Sequence, residues 1–351
     1  VKPGYYLKIT SGPGEGQIRV ICEVTSATEI VVEKFTEDPT SSSSYIINDE
    51  GEYHTSWAAF FANKAGAQQF IITQVPDDIV NDANWRGAID KTKENVSGRQ
   101  GWCLVPLYSM DANESLISYI KTYLQNMNST LTNKERIALF GAKTNLTATD
   151  IISLLNGIKY ERIGVIVNPY ATYDDNTFGS EYLAAYVAGL FCNPDYDAGE
   201  PISGKIVSAF DYIDDPFITF EKNQFGQNGG IVIEKQGVDY KIVHFLSTDT
   251  TDIIKAELKV TKQKDVIKKR MRTIVENSIV NSRSAESARS RANSLVTMIL
   301  DDMVAKNEIS DYKDLKLEFD ANDPRQLNIS FTFKPTFDIN WVYVTFGATI
   351  S

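Results

Sequence analysis

The stretch RIGVIVNPY, Arg162 to Tyr170, is a run of Ile and Val closed by Asn-Pro, and GSEYLAAYVAGLFCN, Gly179 to Asn193, follows it as a small-residue helix. A short apolar run bounded by turn signals reads as a strand buried on both faces. The same alternation extends upstream. TATDIISLLNGIKY reads as a helix capped by Thr147 or Thr149, and ERIALFGA as a strand. NESLISYIKTYLQNMNS is a helix with Leu116, Ile120 and Leu124 on one face. Further upstream stand GWCLVPLYS (strand), NDANWRGAIDKTKENV (helix), QQFIITQV (strand) and TSWAAFFANKAG, a helix with Thr55 or Ser56 as its cap. Apolar strands alternating with helices in this way predict an open parallel sheet covered by helices.

The two ends read differently. GYYLKITSG, QIRVICEV and EIVVEKF alternate as strands around the turn GPGEG. Past the middle, GIVIEKQGVDYKIVHFLS is a hairpin turning at Gln236-Gly237, and AELKVTK a strand. KDVIKKRMRTIVENSIV is an amphipathic helix with Ile267, Met271, Ile274 and Ser278 on one face. SAESARSRANSLVTMILDDMVAKNE is a second, with Ala288, Ala292, Leu295, Ile299 and Met303 facing in. Three strands close the chain: DLKLEFD, QLNISFTFKP and INWVYVTFGAT. The expected class is α/β, α+β overall. It comprises a β-rich module over 1–50, a helix-covered sheet domain over 51–245, and a C-terminal α/β domain with an end strand over 246–351.

Composition is that of a globular protein, with 351 residues, 42% hydrophobic and 23% charged. Lys and Arg number 35 against 46 Asp and Glu, a net charge of −11, which disfavours a nucleic-acid partner because phosphate binding needs a basic face. Cys22, Cys103 and Cys192, odd in number and far apart, read as reduced thiols. No 18-residue apolar run predicts a membrane span, so no membrane partner is expected. The chain opens on Val1 rather than Met and reads as a trimmed core fragment.

Candidate chemistry is sparse. GPGEGQ, Gly12 to Gln17, has the glycines of a phosphate loop, but a strand follows where a helix N-terminus must hold the phosphate, so it reads as a hairpin turn. His54 and His244 lack the neighbouring His or Cys ligands of a zinc site. The acidic loops Thr172–Asn176 and Asp211–Asp215 match no EF-hand and read as solvated loops. The first of them follows a strand's carboxyl end, where α/β sheets bind ligands, and this positional argument keeps an enzyme reading open at 170–176. Lys268, Lys269, Arg270 and Arg272, followed by Arg283, Arg289 and Arg291, form either a solvated polar face or a charged docking surface. No catalytic set, metal or cofactor is signalled.

The last hundred residues resemble the tail sheath proteins of contractile-tailed bacteriophages. VIKKRMRTIVENSIVN, preceded by HFLSTDTTD (His244 to Asp252), resembles the helix that opens the family's C-terminal domain and its threonine-rich approach. SARSRANSLVTMILDDMVAKNEISDYK is similar to the next helix and its exit turn, with Asn307 where glycine is commoner. FKPTFDINWVYVTFGAT looks like the closing strand, and GVIVNPYAT with SEYLAAYVAGLFCNPDYDAGEP like the middle region. The resemblance covers roughly 160–351, more weakly 55–160; GYYLKITSGPGEGQIRVI resembles no conserved segment of the family, and residues 1–50 read as part of a variable decoration domain.

That resemblance implies a non-enzymatic structural subunit. Sheath subunits form six-fold rings around a tail tube, in the virion, after assembly in the host cytoplasm. The extended sheath is metastable, and a baseplate signal starts a contraction that drives the tube through the host envelope. Terminal arms add strands to neighbouring copies. Ile339, Trp341, Val342, Tyr343 and Val344 are then the expected subunit-connecting strand, and Lys268, Lys269, Arg270 and Arg272 a tube- or neighbour-facing set. The partners are the chain itself, the tube protein and the baseplate. Sheaths of type VI secretion systems and R-type pyocins are the related alternative.

Overall fold

A strand that is apolar along its whole length persists only where both its faces are covered. The computed structural model describes residues 6–26, 29–32, 35–48, 50–73, 82–93, 103–112, 115–129, 132, 134–279, 285–323 and 325–337. The chain forms two units, residues 1–61 with 69–99, and residues 62–68 with 100–351.

In the first unit, β1 (Tyr6–Ser11), β2 (Ile18–Ser26), β3 (Glu29–Val32) and β4 (Ser44–Asn48) make an antiparallel sheet in the order β3-β2-β1-β4. Its inward positions build a small core of Leu7, Ile9 and Ile21, with Val24, Ile30, Val32, Phe35 and Ile47 packed against it. Gly12, Gly14 and Gly16 of the β1–β2 turn hold φ of +83°, +80° and +89°, which residues with a Cβ seldom adopt. Helix α1 (Glu50–Lys64) starts before Thr55 and Ser56, so these lie inside it rather than at its cap. Residues 68–73, expected as a strand, are irregular, and Phe70, Ile71 and Ile72 stand exposed rather than stacked in a sheet. Helix α2 (Asp82–Lys91) follows.

The second unit is built on a parallel sheet. β5 (Cys103–Leu104) and β6 (Ser109–Met110) are two short pieces of the one expected strand, separated by Pro106, which donates no ladder hydrogen bond. After α3 (Ser115–Met127) come β7 (Ile137–Ala142), α4 (Ala148–Ile158) and β8 (Ile163–Ile166), with every residue of both strands buried. Thr147 caps α4, since its Oγ1 accepts from the Asp150 amide at 3.3 Å while the Asp150 carboxylate accepts from the Thr147 amide at 3.0 Å. β9 (Tyr170–Tyr173), β10 (Asn176–Gly179) and, after α5 (Ser180–Cys192), β11 (Tyr212–Ile213) form a small antiparallel sheet in the order β10-β9-β11. After α6 (Thr219–Gln227), β12 (Gly230–Ile231) completes the parallel order β12-β8-β7-β5, with β6 also pairing with β7. Helix α5 lies hard against β7: a Cβ on Gly141 would stand 2.2 Å from Ser180 Oγ.

The expected hairpin is present as β13 (Ile233–Gln236) and β14 (Asp239–Ile242), turning at Gly237 with φ +69°. After the short α7 (Ile253–Ala256), the expected strand AELKVTK is instead the start of α8 (Leu258–Met271). Residues 258–263 are buried on every side, which hides the helical period on which a sequence reading depends. The helix runs on through a π turn (Arg272–Glu276) into α9 (Asn277–Ile279). Helix α10 (Ala285–Ala305) and the antiparallel pair β15 (Ile309–Phe319) and β16 (Leu327–Pro335) close the described chain. Their core holds Ile267, Val275, Ala292, Val296, Ile299, Leu300, Met303, Ile309 and Leu317.

Candidate assembly surface

β16 alternates along its length. Leu327, Ile329, Phe331 and Phe333 pack against the α8–α10 core, and Asn328, Ser330, Thr332 and Lys334 face solvent. The inward set is only half-buried, and so are Tyr312 and Leu315 of β15. Among the described residues, β15 and β16 pair with each other alone. A two-stranded ribbon is marginal without further cover, and its outer edges present main-chain groups to any added strand. Tyr312 fastens the ribbon to α10 by donating its hydroxyl to Asp301 at 2.7 Å. Where the chain leaves the ribbon, the buried Gln263 side chain donates to Thr336 Oγ1 at 2.6 Å and to its carbonyl at 3.1 Å. The closing-strand residues Ile339, Trp341, Val342, Tyr343 and Val344 lie outside the described residues.

The basic helix divides in two. Lys268 and Lys269 are exposed. Arg270 instead grips Glu308, 1% exposed at its side chain, with contacts of 2.8 Å to both carboxylate oxygens. Arg272 grips Glu135 in the same two-pronged way, one contact measuring 2.9 Å. Burial alone would push the Glu135 carboxyl up, but the hydrogen bonds and charge of Arg272 outweigh it and hold the group below its usual range. Arg289 pairs one helical turn back with Glu286, Arg291 is exposed, and Arg283 lies outside the described residues.

Sequence reading missed the pairings beneath this surface. Glu135-Arg136-Ile137 and Glu161-Arg162-Ile163 repeat the same three residue types at the entry to the neighbouring strands β7 and β8. Arg162 meets Asp265 of α8, Lys264 approaches Glu161 at 3.7 Å, and Arg272 meets Glu135. The repeat itself is visible in the sequence, although its partners more than a hundred positions away are not.

The other candidates resolve into local structure. Gly12 to Gln17 is the β1–β2 hairpin turn, as expected. His54 lies within α1, and His244 is buried against Gly226. The two acidic loops do meet, on β9 and β11, and the carboxylates of the second are engaged. Asp211 accepts from the Asp174 amide at 2.8 Å, Asp214 from the Tyr212 hydroxyl at 2.9 Å, and Asp215 from Lys222 Nζ at 2.7 Å. Asp174 and Asp175, with φ of 50° and 60°, form the two-residue turn between β9 and β10. No cluster of three or more metal-ligating side chains occurs among the described residues. Cys22 is on β2. Burial pushes the Cys103 thiol well up and that of Cys192 to about 12, which leaves both poorly nucleophilic. Among the described residues, no helix is long and apolar enough to cross a membrane.

No family model matches the chain. It is similar to the tail sheath protein of Mycobacterium phage Bxz1, 23% identical over 235 residues that cover 64% of this chain and 40% of the relative. The match thus spans less than half of that relative's length. Among solved structures, the sheath tail protein of Listeria innocua superposes with a TM-score of 0.60 at 12% identity, covering 96% of this chain and 74% of its own. The helical sheath of the anti-feeding prophage in its contracted state gives a TM-score of 0.59 at 10% identity, covering 83% of this chain and 81% of its own. The expected resemblance is therefore borne out: the fold is that of sheath proteins from phage tails and a related contractile injection system.

Proposed function

We propose that this chain is a structural, non-enzymatic subunit of a contractile tail sheath. Copies stack as six-fold rings around a tail tube and contract on a baseplate signal to drive the tube through the host envelope. The working place is the virion tail, and assembly takes place in the host cytoplasm. The observation that carries the reading is the β15–β16 ribbon, two-stranded and half-covered among the described residues, on a body whose fold matches sheath proteins. Strand addition to such a ribbon gives a main-chain link that survives rotation of the linked bodies. The closing strand, with Ile339, Trp341, Val342, Tyr343 and Val344, supplies the subunit connection. Lys268 and Lys269 offer the charged tube- or neighbour-facing contact, while Arg270 and Arg272 hold the subunit's own carboxylates. Residues 1–50 act as a variable module, 51–245 as the middle domain and 246–351 as the connecting domain.

A second reading places the chain in the sheath of a related injection machine, favoured by the similarity to the anti-feeding prophage sheath. Replacing Trp341 and Tyr343 by Asp separates strand linkage from its alternatives. The account expects a folded subunit that no longer polymerises; normal sheaths from the double variant would remove the closing strand from the mechanism.

A further inference from the structure

Helix α8 enters two apolar cores. Its first residues, Leu258 and Val260, are buried, and a Cβ on Gly164 of β8 would stand 2.9 Å from Leu258 Cδ1, so this end belongs to the parallel sheet. Its far end, at Ile267, and the following Val275 belong to the core of α10, β15 and β16, all of whose members lie at or beyond Val266. Between the two ends, the buried residues Lys262, Gln263 and Asp265 are polar. Lys262 donates to the Tyr196 carbonyl on the sheet side at 3.2 Å, and Gln263 to Thr336 on the ribbon side. Gly199 also lies close to the Asn307 backbone, so main chain meets main chain at this second approach between the layers.

The junction is thus fastened by charge. The amino edge of the sheet presents Glu135-Arg136 beside β7 and Glu161-Arg162 beside β8. Helix α8 answers with Lys264 and Asp265 at β8, and the π turn that continues it answers with Arg272 at β7, seven residues after Asp265. Two-pronged charge pairs demand one fork geometry, and displacing one partner leaves a buried charge unpaired, so such pairs favour one register. We propose that α8 is a charge-locked hinge between the parallel-sheet layer and the α10–β15–β16 layer. The pairs of Asp265 and Glu135 set the angle, and each layer keeps its own core when they are removed. This proposal concerns the chain alone and stands apart from the sheath reading.

Amide hydrogen exchange on the full chain tests it. In the Glu135→Gln, Asp265→Asn double variant, exchange across residues 262–272 is expected to rise at least about tenfold more than exchange in β7, in α10 and in β15–β16. Exchange that stays at wild-type rates, or loss of protection in both cores together, overturns the hinge. A second variant checks the lock itself. Glu135→Arg with Arg272→Glu should restore the exchange that Glu135→Arg alone accelerates, and a swap that restores nothing contradicts it.

Discussion

Arg162, at the entry to β8, holds Asp265 of α8 through two parallel contacts of 2.7 and 2.8 Å, with the side chains only 7% and 1% exposed. Removing one member of such a pair leaves a charge in the interior without its counterion. Arg162→Ala should therefore destabilise the second unit by about 3–5 kcal/mol. The Arg162→Met, Asp265→Leu double variant should lose much less, because both desolvated charges disappear. Urea midpoints of the two variants give the comparison.

Glu135 yields a pH signature. Arg272 depresses its folded carboxyl below the unfolded value, so the pair's stabilisation is complete above the unfolded pKa of about 4.3 and fades as pH falls through the folded one. In Arg272→Ala the hydrogen bonds and charge of Arg272 are gone, and burial pushes the carboxyl up against only the backbone hydrogen bond and the charge of Lys268. The deficit of that variant relative to wild type should be largest at neutral pH and shrink on acidification. Urea midpoints at neutral pH and near pH 4 measure it, and a deficit independent of pH would show that Glu135 does not titrate with the pair.

Gly141 sets how closely α5 approaches β7. A Cβ there would meet Ser180 Oγ at 2.2 Å and the Glu181 amide at 2.3 Å, the second a backbone atom that cannot rotate away. Gly141→Ala should cost at least about 1–3 kcal/mol, read as a lower melting temperature. A near-neutral effect would mean that α5 can retreat without penalty.

Cys103 and Cys192 should react slowly with a thiol-directed disulfide reagent at pH 8, because burial disfavours both thiolates. Urea should restore the rate of a free thiol. Fast labelling of either residue in the native protein would contradict their packing between β5 and α5.

Legibility in the sequence followed local periodicity. Leu116, Ile120 and Leu124 all proved buried on α3, and Ala292, Ile299 and Met303 on α10, because each helix has one wet face. Of the two cap candidates Thr147 and Thr149, Thr147 is the cap, with its partner Asp150 within one turn. Residues 258–263 read as a strand because they have no wet face, and 68–73 because Phe70, Ile71 and Ile72 form a short apolar run between polar residues, here without a sheet to receive it. Arg270 and Arg272 read as surface charge, since their partners Glu308 and Glu135 are set by tertiary structure rather than by spacing. The β15–β16 ribbon was legible strand by strand, but its half-covered face was not, because cover is a property of packing.

The central claim is polymerisation into a sheath, and electron microscopy of the full-length protein, purified without its partners, tests it most directly. The account predicts hollow tubes or stacked rings with six-fold symmetry, linked through strands added to β15–β16. Persistent monomers at high concentration, with a ligand bound at the Tyr170–Asn176 loop, would contradict it.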